Sequence, residues 1–341
     1  MQPMLQIKNL KKHFPVRSGL LLRQTATVYA VDDVSFTLEA GKTLGLVGES
    51  GCGKSTLGRT IIRIYQPTAG EILFEGQNIT NLKSKELHSY QKNVQMIFQD
   101  PYSSLNPRMT ICDILEAPFR VHKVGNRKVR MQHVRQLLDQ VRLGPWALGR
   151  YPHEFSGGQR QRIAIARAIA LHPKLVVADE PVSALDVSVR SQILNLLKDL
   201  QAELKMAYLF ISHDLAVVKH VSDSVAVLYL GKVMEYALRE ELFRTPKHPY
   251  TMALLAANPV PGRGHRKKGV LLTGDLPTPL KPPSGCVFHT RCPYAVDRCK
   301  IEMPSLRGTE RAEHLVARHF VACHFAEEIA AGTKKKTMEV S

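Results

Sequence analysis

The sequence lacks the features of several classes of protein. It contains no run of about 18 apolar residues, so we expect no helix to span a bilayer. Its N-terminal stretch, MQPMLQIKNLKKHF, has no apolar core of a secretory signal, and we expect the chain to stay in the cytosol. No coiled-coil heptad run is present either. What remains is a globular composition, 44% hydrophobic and 23% charged over 341 residues, which suffices for one large domain and a smaller one.

Basic residues outnumber acidic residues by 47 to 30, which gives a formal net charge of +17. Such a charge suits nucleic acid, an anionic membrane face or a solvated basic surface. The basic clusters at 266–268 and 334–336 have no alternating aromatic residues on which bases would stack. No nucleic-acid module is recognisable. We therefore expect no nucleic-acid partner.

Residues 43–64 contain the strongest local pattern. An apolar run at 44–47 predicts a buried strand, GESGCGKS fits G-x-x-x-x-G-K-[ST], and apolar residues at helical spacing follow. Glycines let backbone N–H groups point at a polyphosphate, and the helix N-terminus adds partial positive charge. A chance glycine-rich turn is the alternative, and the flanking strand and helix argue against it. The predicted nucleotide ligands are Gly48, Glu49, Ser50, Gly51, Cys52, Gly53, Lys54, Ser55 and Thr56, with Ser55 also on Mg²⁺.

Polar residues follow three further apolar strands. Gln99 ends VQMIFQ, Asp179 and Glu180 end KLVVADE, and His213 follows AYLFIS. Adjacent strand residues face opposite sides, so we expect one carboxylate to face Mg²⁺ and the other the attacking water. Two solvated acids are the alternative. Ligands bind at the carboxyl ends of parallel strands, so these residues and Gly48 are predicted to converge on one site.

Two predicted helix starts carry polar caps. Ser156 precedes Gly157, Gly158 and Gln159 and a run of alanine and isoleucine at helical spacing, so it is predicted to cap a helix able to hold an anion. SGGQ alone could equally be an ordinary helix start. Asp186 is predicted to cap a second helix, 187–205.

The rest of the N-terminal region reads as strands at 4–9, 31–38 and 71–76, and as helices from 101 to 151. Between the first two strands, SGLLLRQTATVY has no clear period and is predicted to be a loop with strand ends. Strands and helices alternate, which predicts an α/β fold with a mostly parallel sheet. Phe14 and Tyr29 precede the phosphate loop and could stack on adenine, although core packing is the usual role of a lone aromatic residue.

In their order, GESGCGKST, Gln99, FSGGQ, LVVADE, SALD and His213 resemble the ATP-binding subunits of ABC transporters. HPYTMALLAANP and GCVFHTRCP are similar to the C-terminal extension of oligopeptide and dipeptide importer ATPases, in particular the second ATPase subunits of bacterial dipeptide permeases. The resemblance implies a P-loop ATPase domain at 1–240 with an antiparallel β part and a helical subdomain at about 101–156. A helix and proline-rich linker at 241–285, a four-cysteine metal module at 286–325 and a basic tail at 326–341 would follow.

The resemblance also implies residue roles. Phe14, with Tyr29 as second choice, would stack on adenine. Ser55 and Asp179 would serve Mg²⁺, and Gln99 would ligate Mg²⁺ or the attacking water. Glu180 would be the general base, and His213 would contact the γ-phosphate. Ser156, Gly157, Gly158 and Gln159 would complete the site of a facing subunit, and Asp186 would connect two such sites. Residues around 102–118 would contact the membrane subunits.

Cys286, Cys292, Cys299 and Cys323 are separated by 5, 6 and 23 residues. In a reducing compartment, metal binding is expected before disulfides. These gaps are wider than in most structural zinc sites, and four thiolates can hold a [4Fe–4S] cluster, which the resemblance favours. A mixed Cys/His zinc site with His289, His319 or His324 stays open, and so do four free thiols in a loose tail. Cys52 and Cys112 are expected to be small packing residues.

The function implied is ATP hydrolysis that powers import of di- or oligopeptides across a bacterial inner membrane, with ATP and Mg²⁺ as cofactors. The expected partners are a second ABC ATPase subunit, two membrane permease subunits and, indirectly, a peptide-binding protein; the expected location is the cytoplasmic face of the membrane. A soluble ABC ATPase acting on ribosomes, DNA or iron–sulfur assembly is the alternative. A regulatory metal protein with a vestigial nucleotide site is opposed by the intact Lys54, Glu180 and His213.

Overall fold

The protein is described from a computed structural model, which covers residues 3–18, 23–257, 274–309 and 319–336. Its contacts divide the chain into two compact units. The first unit comprises Met1–Met4, Leu38–Thr43 and Asn81–Ile211, and the second comprises Leu5–Thr37, Leu44–Thr80 and Ser212–Ser341. Among the helices that the structure describes, none is long and apolar enough to cross a membrane.

The described elements alternate along most of the chain. The strands are β1 (Leu5–Ser18), β2 (Arg23–Leu38), β3 (Thr43–Val47), β4 (Ala69–Phe74), β5 (Gln77–Asn78), β6 (Val94–Ile97), β7 (Leu175–Asp179), β8 (Ala207–Ile211), β9 (Ser224–Tyr229), β10 (Lys232–Leu238), β11 (Arg307–Gly308) and β12 (His319–Val321). The α-helices are α1 (Lys54–Ile61), α2 (Ser84–Asn93), α3 (Pro101–Ser104), α4 (Ile111–Val121), α5 (Arg127–Gln140), α6 (Gly157–Ile169), α7 (Val187–Leu204), α8 (Leu215–Val221), α9 (Arg239–Arg244), α10 (Pro249–Ala257), α11 (Asp297–Ile301) and α12 (Ala326–Ala330). Short 3₁₀ helices lie at Pro145–Ala147, Pro152–Glu154 and His289–Arg291.

The sheet of the first unit contains parallel strands in the order β6–β7–β8. All five residues of β7 and all five of β8 are buried. Continuous apolar runs such as LVVA are what a parallel strand covered on both faces requires. Both strands were predicted, and because they are parallel their carboxyl ends lie at one edge of the sheet.

Helix α6 is the centre of the helical part of the first unit and contacts α3, α4, α5 and α7. Its Ile163, Ile165 and Ile169 are fully buried. Helices α4 and α5 begin at side-chain caps, because Thr110 and Asn126 each accept a hydrogen bond from a backbone N–H of the first turn. The stretch predicted to be helical, 101–151, forms α3, α4 and α5.

The second unit contains two sheets. One has the order β2–β1–β4–β5, and in it β1 pairs antiparallel with β4. In the other, β3 and β9 are parallel, whereas β9, β10, β12 and β11 pair antiparallel in that order. The sheet predicted to be mostly parallel is therefore mixed.

The strands near the N-terminus are longer than predicted. Strand β1 continues to Ser18 and β2 begins at Arg23, so most of the stretch predicted as a loop is strand, and 19–22 lie outside the described residues. A register shift between Lys8 and Lys11, with a positive φ of 47° at Asn9, interrupts the pairing of β1 with β4. Such a bulge breaks the period-2 pattern by which strands are recognised.

The C-terminal region is packed onto the second unit by apolar and polar anchors. Phe288 is fully buried, with its ring centroid 5.3 Å from that of Tyr229 and 5.4 Å from that of Tyr250. Strand β12 pairs with β10, and the buried Glu235 accepts a hydrogen bond from His319 at 2.6 Å.

Gly45 in β3 provides a test of this packing. A Cβ at Gly45 would lie 2.4 Å from Ser222 Oγ and 2.5 Å from Val218 Cγ1, whereas a Cβ at Gly149 would have no neighbour within 4 Å. We expect Gly45→Ala to lower the free energy of unfolding by about 1–3 kcal/mol through overpacking. The matched Gly149→Ala should change it by less than about 0.5 kcal/mol. Equal effects in denaturant titrations of the two variants would contradict the packing of β3 against α8.

Candidate functional site

The phosphate loop at 48–53 joins β3 to α1 in the second unit. Lys54 is the first residue of α1, and its Nζ donates to the carbonyl oxygens of Gly48 at 2.7 Å and Glu49 at 2.8 Å. The Cys52 N–H donates to Glu49 O, and the Gly231 N–H donates to Cys52 O at 2.9 Å. The loop is thus closed on itself by Lys54 and tied to the turn that follows β9.

Gly53 shows why this loop needs glycine. Its φ is 104°, and a Cβ there would lie 2.0 Å from the carbonyl oxygen of Ala30. The positive φ turns the chain so that α1 can begin at Lys54, directly after the loop. This arrangement can bind a phosphate chain through backbone N–H groups and the helix dipole.

The carboxylates predicted at the end of β7 occupy different backbone environments. Asp179 is the last strand residue and is fully buried. Glu180 has already left the strand, with a left-handed φ of 46°, and its N–H donates to Ile211 O at 3.0 Å. Strand alternation therefore does not extend to Glu180, and the assignment of one carboxylate to Mg²⁺ and the other to water stays a prediction. Such backbone strain in a non-glycine residue is typical of functional sites.

The structure brings Gln99 and Glu180 together within the first unit. Gln99 Nε2 donates to Glu180 Oε2 at 3.1 Å. Strand β6 ends at Ile97, so Gln99 lies in the following loop and not at the predicted strand end. An amide beside a carboxylate at the edge of a parallel sheet can orient a water molecule or a metal-bound oxygen.

His213 lies in the second unit and precedes α8. It is exposed and follows Ser212, whose N–H donates to the carbonyl oxygen of Leu46 at 3.1 Å. Leu46 is in β3, which leads into the phosphate loop, and Asp214 caps α8 through the N–H groups of Ala216 and Val217. That His213, Glu180 and the loop converge on one nucleotide stays a prediction.

Ser156 caps α6 as predicted. Its Oγ accepts from the Gln159 N–H at 3.4 Å, and Gln159 Oε1 accepts from the Ser156 N–H at 3.0 Å, which together form a capping box. Gly158 allows α6 to approach α7, because a Cβ there would lie 2.5 Å from Val189 Cγ1. The first turn of α6 is therefore held rigidly, with two glycines that expose backbone.

Asp186 occupies the N-cap position of α7, but its side chain forms no capping hydrogen bond. The predicted side-chain cap is therefore wrong, and a role of Asp186 between two ATP sites stays a prediction. The adenine candidates are both half-buried. The Phe14 ring packs edge-on against that of Tyr65, with 5.2 Å between the ring centroids, and the Tyr29 ring packs edge-on against that of His13, with 4.7 Å between the centroids. Both contacts match ordinary aromatic packing, so adenine stacking stays a prediction for either residue.

Cys286, Cys292, Cys299 and Cys323 all line one small cavity in the second unit. All four are free thiols. Burial, with a smaller contribution from neighbouring thiols, raises the pKa of Cys286 to about 11 and that of Cys323 to about 12, and it also raises the pKa of Cys292. Among the described residues, no group of three or more His, Cys, Asp or Glu side chains is arranged to hold a single metal ion. The zinc alternative thus has no support from this arrangement.

The histidines near these cysteines differ in their roles. His289 and His324 line the cavity, each with one ring nitrogen near a backbone carbonyl, of Cys286 and Glu302 respectively. His319 is engaged by Glu235 instead. His248, which sequence reasoning missed, also lines the cavity, and burial lowers its pKa to about 4, so its ring is neutral.

Cys52 is buried, as expected of a packing residue, and burial raises the pKa of its thiol.

Two further residues that sequence reasoning missed contact the phosphate loop. Arg291 pairs with the carboxylate of Glu49, and Tyr250 Oη accepts from the Glu49 N–H at 3.0 Å. Tyr250 and Arg291 lie in the HPYT and GCVFHTRCP stretches that carry the family resemblance, but that resemblance assigned neither residue a role at the phosphate loop. Arg291 is 242 positions from Glu49, and no local pattern signals such a pairing.

Comparison with known families gives two matches along the chain. The family described as ABC transporter matches residues 31–183. The family described as Oligopeptide/dipeptide transporter, C-terminal region, matches residues 234–299, which include α10 and three of the four cysteines.

Among curated relatives, the chain is 54% identical over 326 residues to the oligopeptide transport ATP-binding protein AppF of Bacillus subtilis, covering 95% of this chain and 97% of that one. It is 50% identical to the putative oligopeptide transport ATP-binding protein YkfD of the same species, covering 98% of each chain. It is also 50% identical to the probable peptide ABC transporter ATP-binding protein y4tS of Sinorhizobium fredii, covering 96% of this chain and 91% of that one.

Solved structures agree in fold. The dimeric ATP-binding cassette MJ0796, in a post-hydrolysis state bound to ADP and Pi, matches with a TM-score of 0.62 and 28% identity, covering 69% of this chain and 99% of that one. CbiO1 of Clostridium perfringens matches in fold with a TM-score of 0.61, covering 71% of this chain and 91% of that one. The chain therefore belongs to the ATP-binding subunits of ABC transporters, in the oligopeptide and dipeptide transporter family.

Proposed function

We propose that this chain is the ATP-hydrolysing subunit of an importer for di- or oligopeptides in a bacterial inner membrane. The observation that carries the proposal is a preformed phosphate loop in a chain that is 54% identical, over 95% of its length, to an oligopeptide transport ATP-binding protein. The alternative, a soluble ABC ATPase that acts on ribosomes, DNA or iron–sulfur assembly, has no support from the relatives described above, whose printed descriptions name peptide transport.

The phosphate loop would bind the triphosphate. Backbone N–H groups from Gly48 to Thr56 would contact the phosphate oxygens, while Lys54 exchanges its carbonyl partners for the β- and γ-phosphates. Ser55 would place its hydroxyl on Mg²⁺, which neutralises charge on the transferred phosphoryl group when bound. Phosphoryl transfer needs mainly positioning and charge stabilisation, and a loop held in shape before ATP arrives provides both.

Glu180 is proposed as the general base. Its hydrogen bond from Gln99 would fix the carboxylate, and a carboxylate so held can accept a proton from the attacking water. The buried Asp179 would serve the Mg²⁺ shell, and His213 would contact the γ-phosphate. Each of these roles follows the family resemblance.

The capped first turn of α6, from Ser156 to Gln159, would complete the site of a facing ATPase subunit. Its glycines and its helix N-terminus suit a γ-phosphate held by another chain. The relative MJ0796 is described as dimeric with ADP and Pi, which supports such pairing here. Asp186, whose carboxylate does not cap α7, would then connect the two sites across the seam.

The expected partners are a second ABC ATPase subunit, two permease subunits and, through them, a peptide-binding protein outside the membrane. The exposed Tyr102 on α3 lies in the stretch expected to contact the permeases, and the Arg160 guanidinium lies 5.3 Å from its ring centroid. The chain would work at the cytoplasmic face as a peripheral protein. The cargo is chosen by other chains.

The cavity lined by four cysteines is proposed to hold a [4Fe–4S] cluster. In such a cluster each thiolate binds a different iron, so the four sulfurs surround a volume and need not converge on one point. What supports this proposal is that all four cysteines line one cavity. The raised thiol pKa values describe the metal-free state, and bound iron would keep the thiolates deprotonated.

Glu180→Gln tests the general-base role. The amide is nearly isosteric but cannot accept the proton, so we expect ATP binding to persist and kcat to fall by at least about 100-fold. Equilibrium binding of ATP and steady-state ATPase activity of the chain purified with its permease subunits provide the measurements. Glu203→Gln, an exposed acid on α7, is the matched control and should keep full activity.

Two outcomes would contradict this assignment. One is a loss of ATP affinity in Glu180→Gln as large as its loss of turnover. The other is wild-type protein, isolated with permease subunits, that neither binds nor hydrolyses ATP, because that result would refute the proposed function itself.

Serine substitution tests the cluster. Replacing Cys292 or Cys323 with Ser should remove the brown colour and about four irons per chain from anaerobically purified protein. Cys112→Ser, outside the cavity, should keep both. Zinc at full occupancy in the wild-type protein, or no metal at all, would overturn the cluster proposal and leave the ATPase proposal untouched.

A further inference from the structure

An ion pair links the C-terminal region to the phosphate loop. Arg291 donates to both carboxylate oxygens of Glu49, at 2.6 and 3.0 Å. The Arg291 side chain is 6% exposed and that of Glu49 is 27% exposed. A bidentate guanidinium–carboxylate pair fixes both groups in orientation as well as distance. Shielding from solvent makes this pair stronger than an ordinary surface ion pair.

The charge of Glu49 poses a problem for a loop that binds a polyphosphate. Glu49 is the residue that follows the first loop glycine, and a carboxylate there repels the phosphate groups that the loop is proposed to bind. Arg291 neutralises that carboxylate directly. Without Arg291, a partly buried negative charge would stay inside the phosphate-binding segment, where screening by water is weak.

The backbone of Glu49 is held from the same side. Its N–H donates to Tyr250 Oη at 3.0 Å, and its carbonyl oxygen accepts from Lys54 Nζ. The buried phenol of Tyr250 therefore fixes the peptide unit that enters the loop. The side chain and the N–H of Glu49 both depend on residues beyond 240, outside the ATPase segment predicted from the sequence.

Arg291 is itself fixed by the cysteine-lined region. It ends the 3₁₀ helix His289–Arg291, which lies between Cys286 and Cys292, and its N–H donates to Phe288 O at 3.0 Å. Phe288 packs on Tyr250, and the Arg291 guanidinium lies 5.9 Å from the Tyr229 ring centroid. The guanidinium can hardly move unless the turn between these two cysteines moves with it.

We propose that Arg291 is a positioning residue for the phosphate loop: it neutralises and orients Glu49, so that ATP affinity depends on the folded cysteine-lined region. The inference rests on the proposed ATPase function. It makes the C-terminal extension part of the nucleotide machinery, through a contact within the same chain. Because coupling is reciprocal, ATP bound at the loop would also stabilise the turn that carries Arg291.

The test measures the dissociation constant of mant-ATP with Mg²⁺ for the full-length chain. We expect Arg291→Ala to raise that constant about tenfold, within the usual range of coupling between sites. Arg298→Ala is the matched control, because Arg298 pairs with Glu302 at 2.7 Å on the exposed surface of the same region. It should bind within twofold of wild type.

Two further variants separate the effect of the Arg291 charge on ATP affinity from the effect of its packing. If Arg291 acts by neutralising Glu49, then Arg291→Ala combined with Glu49→Gln should recover part of the lost affinity, because the repelling charge is gone. Arg291→Lys keeps the positive charge but cannot form the bidentate pair, so it should lose less ATP affinity than Arg291→Ala. It replaces Arg291→Ala in the test if that variant does not fold. Binding by Arg291→Ala equal to that by Arg298→Ala, or no recovery in the double variant, would overturn the proposal. Absence of ATP binding by wild type would refute the ATPase function instead.

Discussion

The nucleotide-binding half of this protein depends on how one residue, Glu49, is held. Its carbonyl oxygen accepts a hydrogen bond from Lys54, its N–H donates one to Tyr250, and its carboxylate forms an ion pair with Arg291. These three contacts fix the peptide units that enter the phosphate loop. When Lys54 leaves the Glu49 carbonyl for the phosphates, the contacts from Tyr250 and Arg291 would remain, and they would limit how far the loop reorganises as ATP binds.

The two chain segments that meet at Glu49 have different origins in the sequence. The loop belongs to the stretch that matches ABC transporters, and Tyr250 and Arg291 belong to the stretch that matches the C-terminal region of oligopeptide and dipeptide transporters. The family-specific extension is thus joined to the nucleotide loop by a buried pair and an aromatic cluster around Phe288. An extension that was attached only at the surface of the ATPase domain would need neither the ion pair nor the aromatic cluster.

Sequence reasoning succeeded where the signal is local. The continuous apolar runs of β7 and β8, the N-cap at Ser156 and the phosphate loop each occupy fewer than about ten residues, and their chemistry is fixed by neighbours in the chain. It failed where backbone or distant partners decide. The bulge in β1 hid the strand period, the left-handed φ of Glu180 replaced alternation, and Arg291 meets Glu49 across 242 positions.

The contacts from Tyr250 and Arg291 would hold the entry to the phosphate loop in place before nucleotide arrives. Hydrogen–deuterium exchange of the nucleotide-free, full-length chain tests it most directly, because the Glu49 N–H is committed to Tyr250 Oη. We expect the Glu49 amide to exchange far more slowly than an unprotected amide, and Tyr250→Phe to remove much of this protection. Exchange of the Glu49 amide at the unprotected rate in the wild-type chain would show that these contacts do not hold the loop entry in solution.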